Sequence, residues 1–144
     1  MTEIKAGNVA RYCKPSNLNT NGIPQTSAFQ RRTEPKEKYL SVYLLDFFDK
    51  ETELENIIEI KKYMTEVTGF TCKPNGSFAI LNIQKSKHYI FEEISSEIFY
   101  REKRLPHCGL FHDAEDLLIA KLLAECVENN YLIKDIPDST TSPP

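Results

Sequence analysis

The sequence lacks the patterns that mark several common kinds of functional site. It has five glycines, and none stands in the GxGxxG or GxxxxGK spacing of a phosphate-binding loop, which argues against the classical nucleotide-binding folds. Its four cysteines are widely separated and form no CxxC pair, so we expect free thiols. We therefore expect no cofactor and no bound metal.

Long apolar stretches are also missing. No run approaches the roughly 20 residues that a membrane-spanning helix needs, and the opening residues MTEIKAGNVARYCKPSN lack the apolar segment of a signal peptide. The length of 144 residues, with 40% hydrophobic and 27% charged residues, is typical of a single soluble domain. We expect a cytoplasmic protein that makes no membrane contact.

Charge is distributed unevenly along the chain. The formal net charge is −3, but residues 1–38 carry +4 and the remainder carries −7. A basic segment of this kind either recruits a polyanion or packs against its own acidic body. We favour packing, because the positive charges are dispersed along the segment.

Three regions differ in composition. Residues 1–38 show no helical or strand periodicity, and the stretch KPSNLNTNGIPQTS is rich in turn-forming residues. We predict an irregular basic N-terminal segment at 1–38, packed on or covering an α+β domain at 39–136. The closing PDSTTSPP predicts a disordered tail at 137–144.

Periodicity predicts several elements within the domain. A strand is expected at 39–48, followed by a helix that starts at a Thr52–Glu55 capping box and stops at Gly69. A buried strand at 77–84 would complete a βαβ unit. The stretches KHYIFEEI and EIFYRE predict a β-hairpin that turns at Ser95 and Ser96. A second helix is expected at 114–128, and YLIKDI predicts an edge strand.

These elements predict an α+β fold. We expect a two-layer sandwich, with a mixed sheet of four or five strands and two helices on one face, preceded by the long irregular N-terminal segment.

The stretch PHCGLFHDAED contains most of the candidate chemistry. His107, His112 and Cys108 are candidate catalytic residues, with the cysteine as a nucleophile and a histidine as its base. A zinc site would need further ligands from elsewhere in the chain, and there is no second ligand pair. The alternative is structural: Asp113 caps the following helix, and the stretch is then a contact loop.

A second group of candidates could bind an anion. Arg31 and Arg32 lie in the basic segment, close in sequence to Tyr39 and Ser41 on the first predicted strand, and arginine binds phosphate or carboxylate with two parallel hydrogen bonds. Aromatic and basic residues also alternate along 84–107, a pattern compatible with nucleic-acid binding. Acidic residues in the same stretch leave it nearly neutral.

Two segments resemble a family of small bacterial proteins to which no activity is assigned. They are RYCKPSNLNTNGIPQTSAFQRRTEPKEKYLSVYLLDFF and PHCGLFHDAEDLLIAKLLAE, and together they cover about half of the chain. The resemblance implies no cofactor and no catalytic residue. It suggests a bacterial accessory protein, such as one from a defence or toxin–immunity locus.

The leading hypothesis is a cytosolic module that binds a protein partner through the basic N-terminal loop and the loop at 107–113. Arg31, Arg32, Ser41 and Asp113 are the candidate binding residues. The alternative is an enzyme that processes RNA or a nucleotide, with a histidine as acid or base and Arg31 and Arg32 holding phosphate. It requires Arg31, Ser41 and His107 to converge in one pocket. A zinc-stabilised domain is the lesser alternative.

Overall fold

A computed structural model describes residues 2–138, in which six strands and three α-helices occur. The strands are β1 (Asn8–Cys13), β2 (Leu40–Leu44), β3 (Ser77–Asn82), β4 (Phe99–Arg104), β5 (His107–Phe111) and β6 (Asn129–Leu132). The helices are α1 (Glu53–Glu66), α2 (Ile83–Ile94) and α3 (Asp116–Glu125). The α+β class is therefore confirmed. The predicted tail at 137–144 lies almost entirely outside the described residues.

The strands form one open sheet in the order β4-β5-β2-β1-β3-β6, and every neighbouring pair is antiparallel. The prediction of a mixed sheet with four or five strands is wrong in this detail. β2 and β3 do run in the same direction, as the predicted βαβ unit requires. However, β1 lies between them and pairs with both.

β1 corrects the prediction that residues 1–38 are irregular. This strand lies inside the sheet, and Val9, Ala10 and Cys13 have no exposed surface. The sheet is covered on both faces at this point, so the strand lacks the apolar–polar alternation of a half-exposed strand. A charged residue in its middle, Arg11, further obscures the pattern. The segment after β1 does pack on the domain, through the buried residues Ala28 and Phe29.

The helices lie on both faces of the sheet, which corrects the predicted two-layer arrangement. One core joins α2 and α3 to the sheet, with Leu81, Ile90 and Leu123 among its members. A second core lies beneath α1 and includes Ile57 and Ile80. Consecutive residues of β3 point alternately into the two cores, so the strand is apolar throughout.

α2 replaces the first strand of the predicted hairpin. The Asn82 side chain caps its start by accepting a hydrogen bond from the Lys85 N–H at 2.9 Å, and Ser95 ends it in a left-handed conformation with φ 56°. Ile83, Ser86 and Ile90 are buried on one side of the helix. The second predicted strand is confirmed as β4.

The other helix boundaries are partly as predicted. Thr52 caps α1 as expected, since its hydroxyl accepts from the Glu55 N–H at 3.1 Å. Asp113 does not cap α3, because the helix begins at Asp116 and the cap position is Glu115. The predicted loop at 107–113 is mostly β5, a strand that pairs with both β4 and β2.

Candidate functional site: an open sheet face and an adjoining cavity

One half of the sheet has a face without a helix over it. On the side opposite α2 and α3, no described residue of β4 or β5 belongs to the core beneath α1. We refer to this surface as the open face. It consists of Tyr39, Ser41, Tyr43, Phe99, Arg101, Lys103, His107 and Phe111. Ser41, from the first predicted strand, and His107, from the predicted loop, therefore both lie on this partly accessible surface.

Aromatic rings form a continuous layer on the open face. The Tyr39 ring centroid lies 5.2 Å from that of Phe111 and 6.1 Å from that of His107, and the Tyr43 and His107 centroids are 5.4 Å apart. Gly109 permits this layer, because a Cβ atom there would come within 2.8 Å of Phe111 and 2.9 Å of Tyr39. The rings are half-buried by one another.

Two cations of the open face lie against these rings, and Lys87 of α2 also lies 5.4 Å from the Phe99 centroid. The Arg101 guanidinium is 5.0 Å from the Phe99 centroid and 5.1 Å from the Phe111 centroid. The Lys103 ammonium lies 4.4 Å from the centroid of Tyr39. These are cation–π distances, so each charge is held over an aromatic surface while remaining partly accessible.

His107 contacts Ser41 on the open face. Its Nε2 lies 3.2 Å from the Ser41 Oγ, as a serine–histidine pair in a hydrolase would require. Burial lowers the pKa of His107, and the nearby Lys103 lowers it further, so the ring is uncharged at neutral pH. Among residues 2–138, no carboxylate pairs with the His107 ring to orient it.

His112 is placed differently, in the interior. Its side chain is 2% exposed, and its Nε2 lies 3.4 Å from the Asp116 Oδ1. Burial lowers its pKa, as does the charge of Arg31, although Asp116 acts in the opposite direction. A side chain this deeply buried does not reach a substrate, which argues against the catalytic role considered from the sequence.

Cys108 is also buried, on the side of β5 that faces α2 and α3. Burial raises the pKa of its thiol to about 11. A reactive cysteine needs a lowered pKa and access to solvent, so the burial of Cys108 argues against the predicted nucleophile. Asp113 is exposed in the segment between β5 and α3.

Arg31 and Arg32 have different environments. Arg31 donates from Nε to Asp116 Oδ1 at 2.9 Å and from its backbone N–H to Asp116 Oδ2 at 3.1 Å. It also donates from Nη1 to the His112 carbonyl at 3.2 Å. Arg32 is 69% exposed and pairs with Glu37. Arg31 therefore ties the N-terminal segment to the start of α3.

A cavity of about 860 Å³ adjoins the open face, with Arg31, Arg32, Ser41 and Tyr43 among its lining residues. It lies between β1, β2, the segment at 27–37 and the end of α1. Three of the four predicted binding residues thus meet at one site, and Asp113 is not among its lining residues. His107 does not line it but contacts Ser41, which does.

Arg11 is the site residue that sequence reasoning missed. It lies on β1 and lines the cavity beside Tyr12 and Lys14. The available signal was a single arginine within the otherwise uncharged stretch NVARYC. This arginine is informative only when the stretch is recognised as a central strand, because a charged side chain at such a position indicates a specific structural or functional role.

No protein-family model matches the chain, and neither a curated protein nor a solved structure shows significant similarity to it. Within residues 2–138, no group of three or more His, Cys, Asp or Glu side chains is placed to hold a metal ion. The zinc-stabilised alternative therefore has no ligand set in that range. None of the helices there has the length and apolar character needed to cross a bilayer.

Proposed function

We propose that this chain is a small binding module that docks on a protein partner through the open face of the sheet. The observation that carries the proposal is the continuous layer of half-exposed rings and cations on β2, β4 and β5, at whose margin Tyr43 contacts Tyr63 of α1. Tyr, Phe and Arg are enriched where proteins contact one another. In support, Arg31 of the basic N-terminal segment donates a hydrogen bond to the His112 carbonyl, and these two residues belong to the two regions, the N-terminal loop and 107–113, that were expected to form the contact surface.

A protein partner fits this surface better than a nucleic acid. Base stacking needs free ring faces, whereas Arg101 and Lys103 lie against Phe99, Phe111 and Tyr39. The chain as a whole is acidic, which weakens attraction to a polyanion. A folded or extended protein segment can instead contact the ring edges and pair with the two cations.

The charge of the open face indicates the chemistry of the partner. Arg101 and Lys103 lie on it, Arg104 continues β4 at its edge, and none of the three is in an ion pair within residues 2–138. A partner segment that combines Asp or Glu with apolar residues would neutralise these charges and cover the rings. Electrostatic complementarity of this kind sets the association rate and the choice of partner.

The rival enzyme hypothesis has less support. Arg31 is bound to Asp116 and is not free to hold phosphate, and the His112 side chain is buried. The Ser41–His107 pair lacks a residue that orients the histidine. A cytoplasmic location and a bacterial defence or toxin–immunity setting remain parts of the proposal, for which the sequence is the only source.

Site-specific photo-crosslinking in cells of the source organism tests the proposal. A photoreactive amino acid replaces Tyr39 in one variant and the exposed residue Phe91 on α2 in a matched control. The proposal expects the same protein to be captured from position 39 and not from position 91. The purified partner should then bind the wild-type chain in a salt-sensitive manner.

Charge reversal supplies the second part of the test. Arg101→Glu with Lys103→Glu should weaken binding of that partner at least tenfold, while Lys62→Glu on the exposed side of α1 leaves it unchanged. Equal capture at both positions, or equal affinity of both charge variants, overturns the proposal. Tight binding of single-stranded RNA that Arg101→Glu abolishes would favour a nucleic-acid ligand instead.

A further inference from the structure

The cavity lies where two neighbouring strands separate. β1 and β2 pair only at Val9 with Leu44 and at Ala10 with Tyr43, although both strands continue beyond these pairs. β1 keeps its full pairing with β3 on its other side. Arg11 is the first residue of β1 after the last pair with β2, and its side chain extends into the gap.

The guanidinium of Arg11 has only neutral partners. Its Nε donates to the Ala28 carbonyl at 2.9 Å, and its Nη1 donates to the Ser41 carbonyl at 3.0 Å. Within residues 2–138, no carboxylate lies within ion-pair distance of it. A guanidinium has five N–H donors, so three donors are left without a protein acceptor in this part of the chain.

The lack of an ion-paired carboxylate makes burial of this cation costly. Burial lowers the pKa of Arg11, which records the penalty of removing the charge from water. Arginine nevertheless keeps its proton in proteins. Glu37 also lines the cavity and its charge acts to raise the pKa of Arg11, but its carboxylate is paired with Arg32. An anion from outside the chain would therefore complete the site.

We infer that this cavity binds a small organic anion, whose phosphate or carboxylate is held by Arg11 and Lys14. The volume of about 860 Å³ is within the range of ligand pockets. Tyr12, Tyr43 and Phe70 line its wall and offer apolar surface to the body of the ligand. This ligand site shares Ser41 and Tyr43 with the open face, but the inference does not depend on the protein-docking role proposed above.

Further residues of the cavity lining restrict the ligand. Two acidic residues, Glu34 and Glu37, also line the cavity, and their charge is opposite in sign to that of Arg11 and Lys14. They repel an extended polyanion and leave room for a compact ligand with one anionic group. The ligand class is thus a mononucleotide-like phosphate or an aromatic carboxylate, both of which present an anion next to a flat ring.

Nuclear magnetic resonance titration of the full chain tests the inference. The probes are inorganic phosphate, adenosine monophosphate and benzoate, with adenosine and benzamide as uncharged counterparts. The expected result is saturable shifts of the Arg11 side-chain Nε–H and of backbone signals at 11–14 and 41–43 with at least one organic anion. Its uncharged counterpart should bind at least about tenfold more weakly. Tighter binding of adenosine monophosphate than of benzoate would identify a phosphate ligand, and the reverse order would identify a carboxylate ligand.

Variants separate the site from general folding effects. Arg11→Gln should weaken binding of the anion that titrates by about tenfold or more, because a charged hydrogen-bond donor is lost. Lys121→Gln, which removes an exposed positive charge on α3 away from the cavity, is the matched control and should leave the affinity unchanged. Lys14→Glu provides a second variant on an exposed side chain if Arg11→Gln fails to fold.

Three results overturn the inference. The first is the absence of saturable binding by every anion up to about 10 mM, the range in which even weak ligands are detected. The second is equal affinity for charged and uncharged counterparts. The third is an affinity for the anion that is unchanged in both single variants, Lys14→Glu and Arg11→Gln. Where Arg11→Gln does not fold, unchanged affinity in Lys14→Glu is sufficient.

Discussion

At the scale of single residues, burial decides the chemistry of the cysteines. Cys13, Cys72 and Cys108 are buried and Cys126 is half-buried, and all four are free thiols, as the absence of CxxC pairs predicted. Burial raises the pKa of each thiol to about 11. The sequence around Cys108, with two histidines and a following helix, indicated the opposite.

Thiol reactivity measures this difference directly. At pH 7.5 we expect the native chain to react with a disulfide reagent on the order of a hundredfold more slowly than an ordinary cysteine, because the thiolate is the reacting form. In denaturant, all four thiols should react at once. Modification is followed by absorbance and located by mass spectrometry. Rapid, selective labelling of native Cys108 would restore it as a candidate nucleophile.

The two buried or half-buried histidines predict how stability depends on pH. Folding lowers the pKa of His112 and His107 below the ordinary value of 6.5, so the unfolded chain binds protons more readily. Their contribution to the free energy of unfolding is therefore fully present above about pH 6.5. It is lost as the pH falls through the lower values of the folded state.

Urea unfolding at pH 7.5 and at lower pH provides the measurement. We expect the free energy of unfolding to decrease toward low pH, and His112→Gln should make that decrease smaller, since glutamine does not titrate. The variant's overall loss of stability does not affect this slope. An identical pH dependence in the wild-type chain and in His112→Gln would show that His112 does not contribute.

At the scale of elements, one of the two adjacent arginines, Arg31, holds the N-terminal segment against the start of α3. Arg31, 19% exposed, makes two hydrogen bonds to Asp116 and one to the His112 carbonyl. Its neighbour Arg32 is mostly exposed. The same residue type in adjacent positions thus has a structural role in one case and a surface role in the other.

This difference predicts unequal effects of substitution. Arg31→Ala should lower the free energy of unfolding by about 1.5–3 kcal/mol, because the half-buried charged hydrogen bond to Asp116 and the bond to the His112 carbonyl are lost, while the backbone N–H bond to Asp116 remains. Arg32→Ala should cost less than about 1 kcal/mol, as is usual for an exposed ion pair. Chemical denaturation of both variants gives the comparison. Equal effects would contradict the structural assignment of Arg31.

The elements also show what could be predicted from the sequence. The cap at Thr52 and the apolar run of β3 follow local rules, and both were predicted correctly. α2 was not, because Tyr89, Ile90 and Phe91 favour a strand locally, whereas in the fold Ile83, Ser86 and Ile90 bury one helical side. The capping role of Asn82 was the signal for a helix start at that point.

The candidate site was only partly predictable for a related reason. Arg31, Ser41 and His107 were singled out, and the structure brings Ser41 into contact with His107 and places Arg31 and Ser41 at one cavity. The importance of Arg11 depends on where β1 and β2 separate. Strand pairing between residues so distant in the chain is a tertiary property, and local patterns do not encode it.

At the scale of the whole molecule, the N-terminal residues are part of the fold's centre. β1 lies between β2 and β3, and Ala10 is buried in the core beneath α1. The residues before it protect the outer edge of β4: the Ile4 N–H donates to the Tyr100 carbonyl at 2.7 Å, and the Glu102 N–H donates to the Thr2 carbonyl at 2.8 Å. An edge covered in this way is less available for pairing with another chain.

Two deletions separate these roles. Removal of residues 1–13 should abolish cooperative unfolding, because β1 joins the two halves of the sheet. The deletion also removes the β1 side chains that are buried in both cores. Removal of residues 1–4 should leave a folded chain with a greater tendency to associate, since the β4 edge is uncovered, and with lower stability, since the Glu3–Lys87 ion pair and the packing of Ile4 are lost. Circular dichroism during thermal unfolding and light scattering distinguish the outcomes. A cooperatively folding chain that starts at Lys14 would contradict the central position of β1 and would return the N-terminal segment to the role of a removable cover.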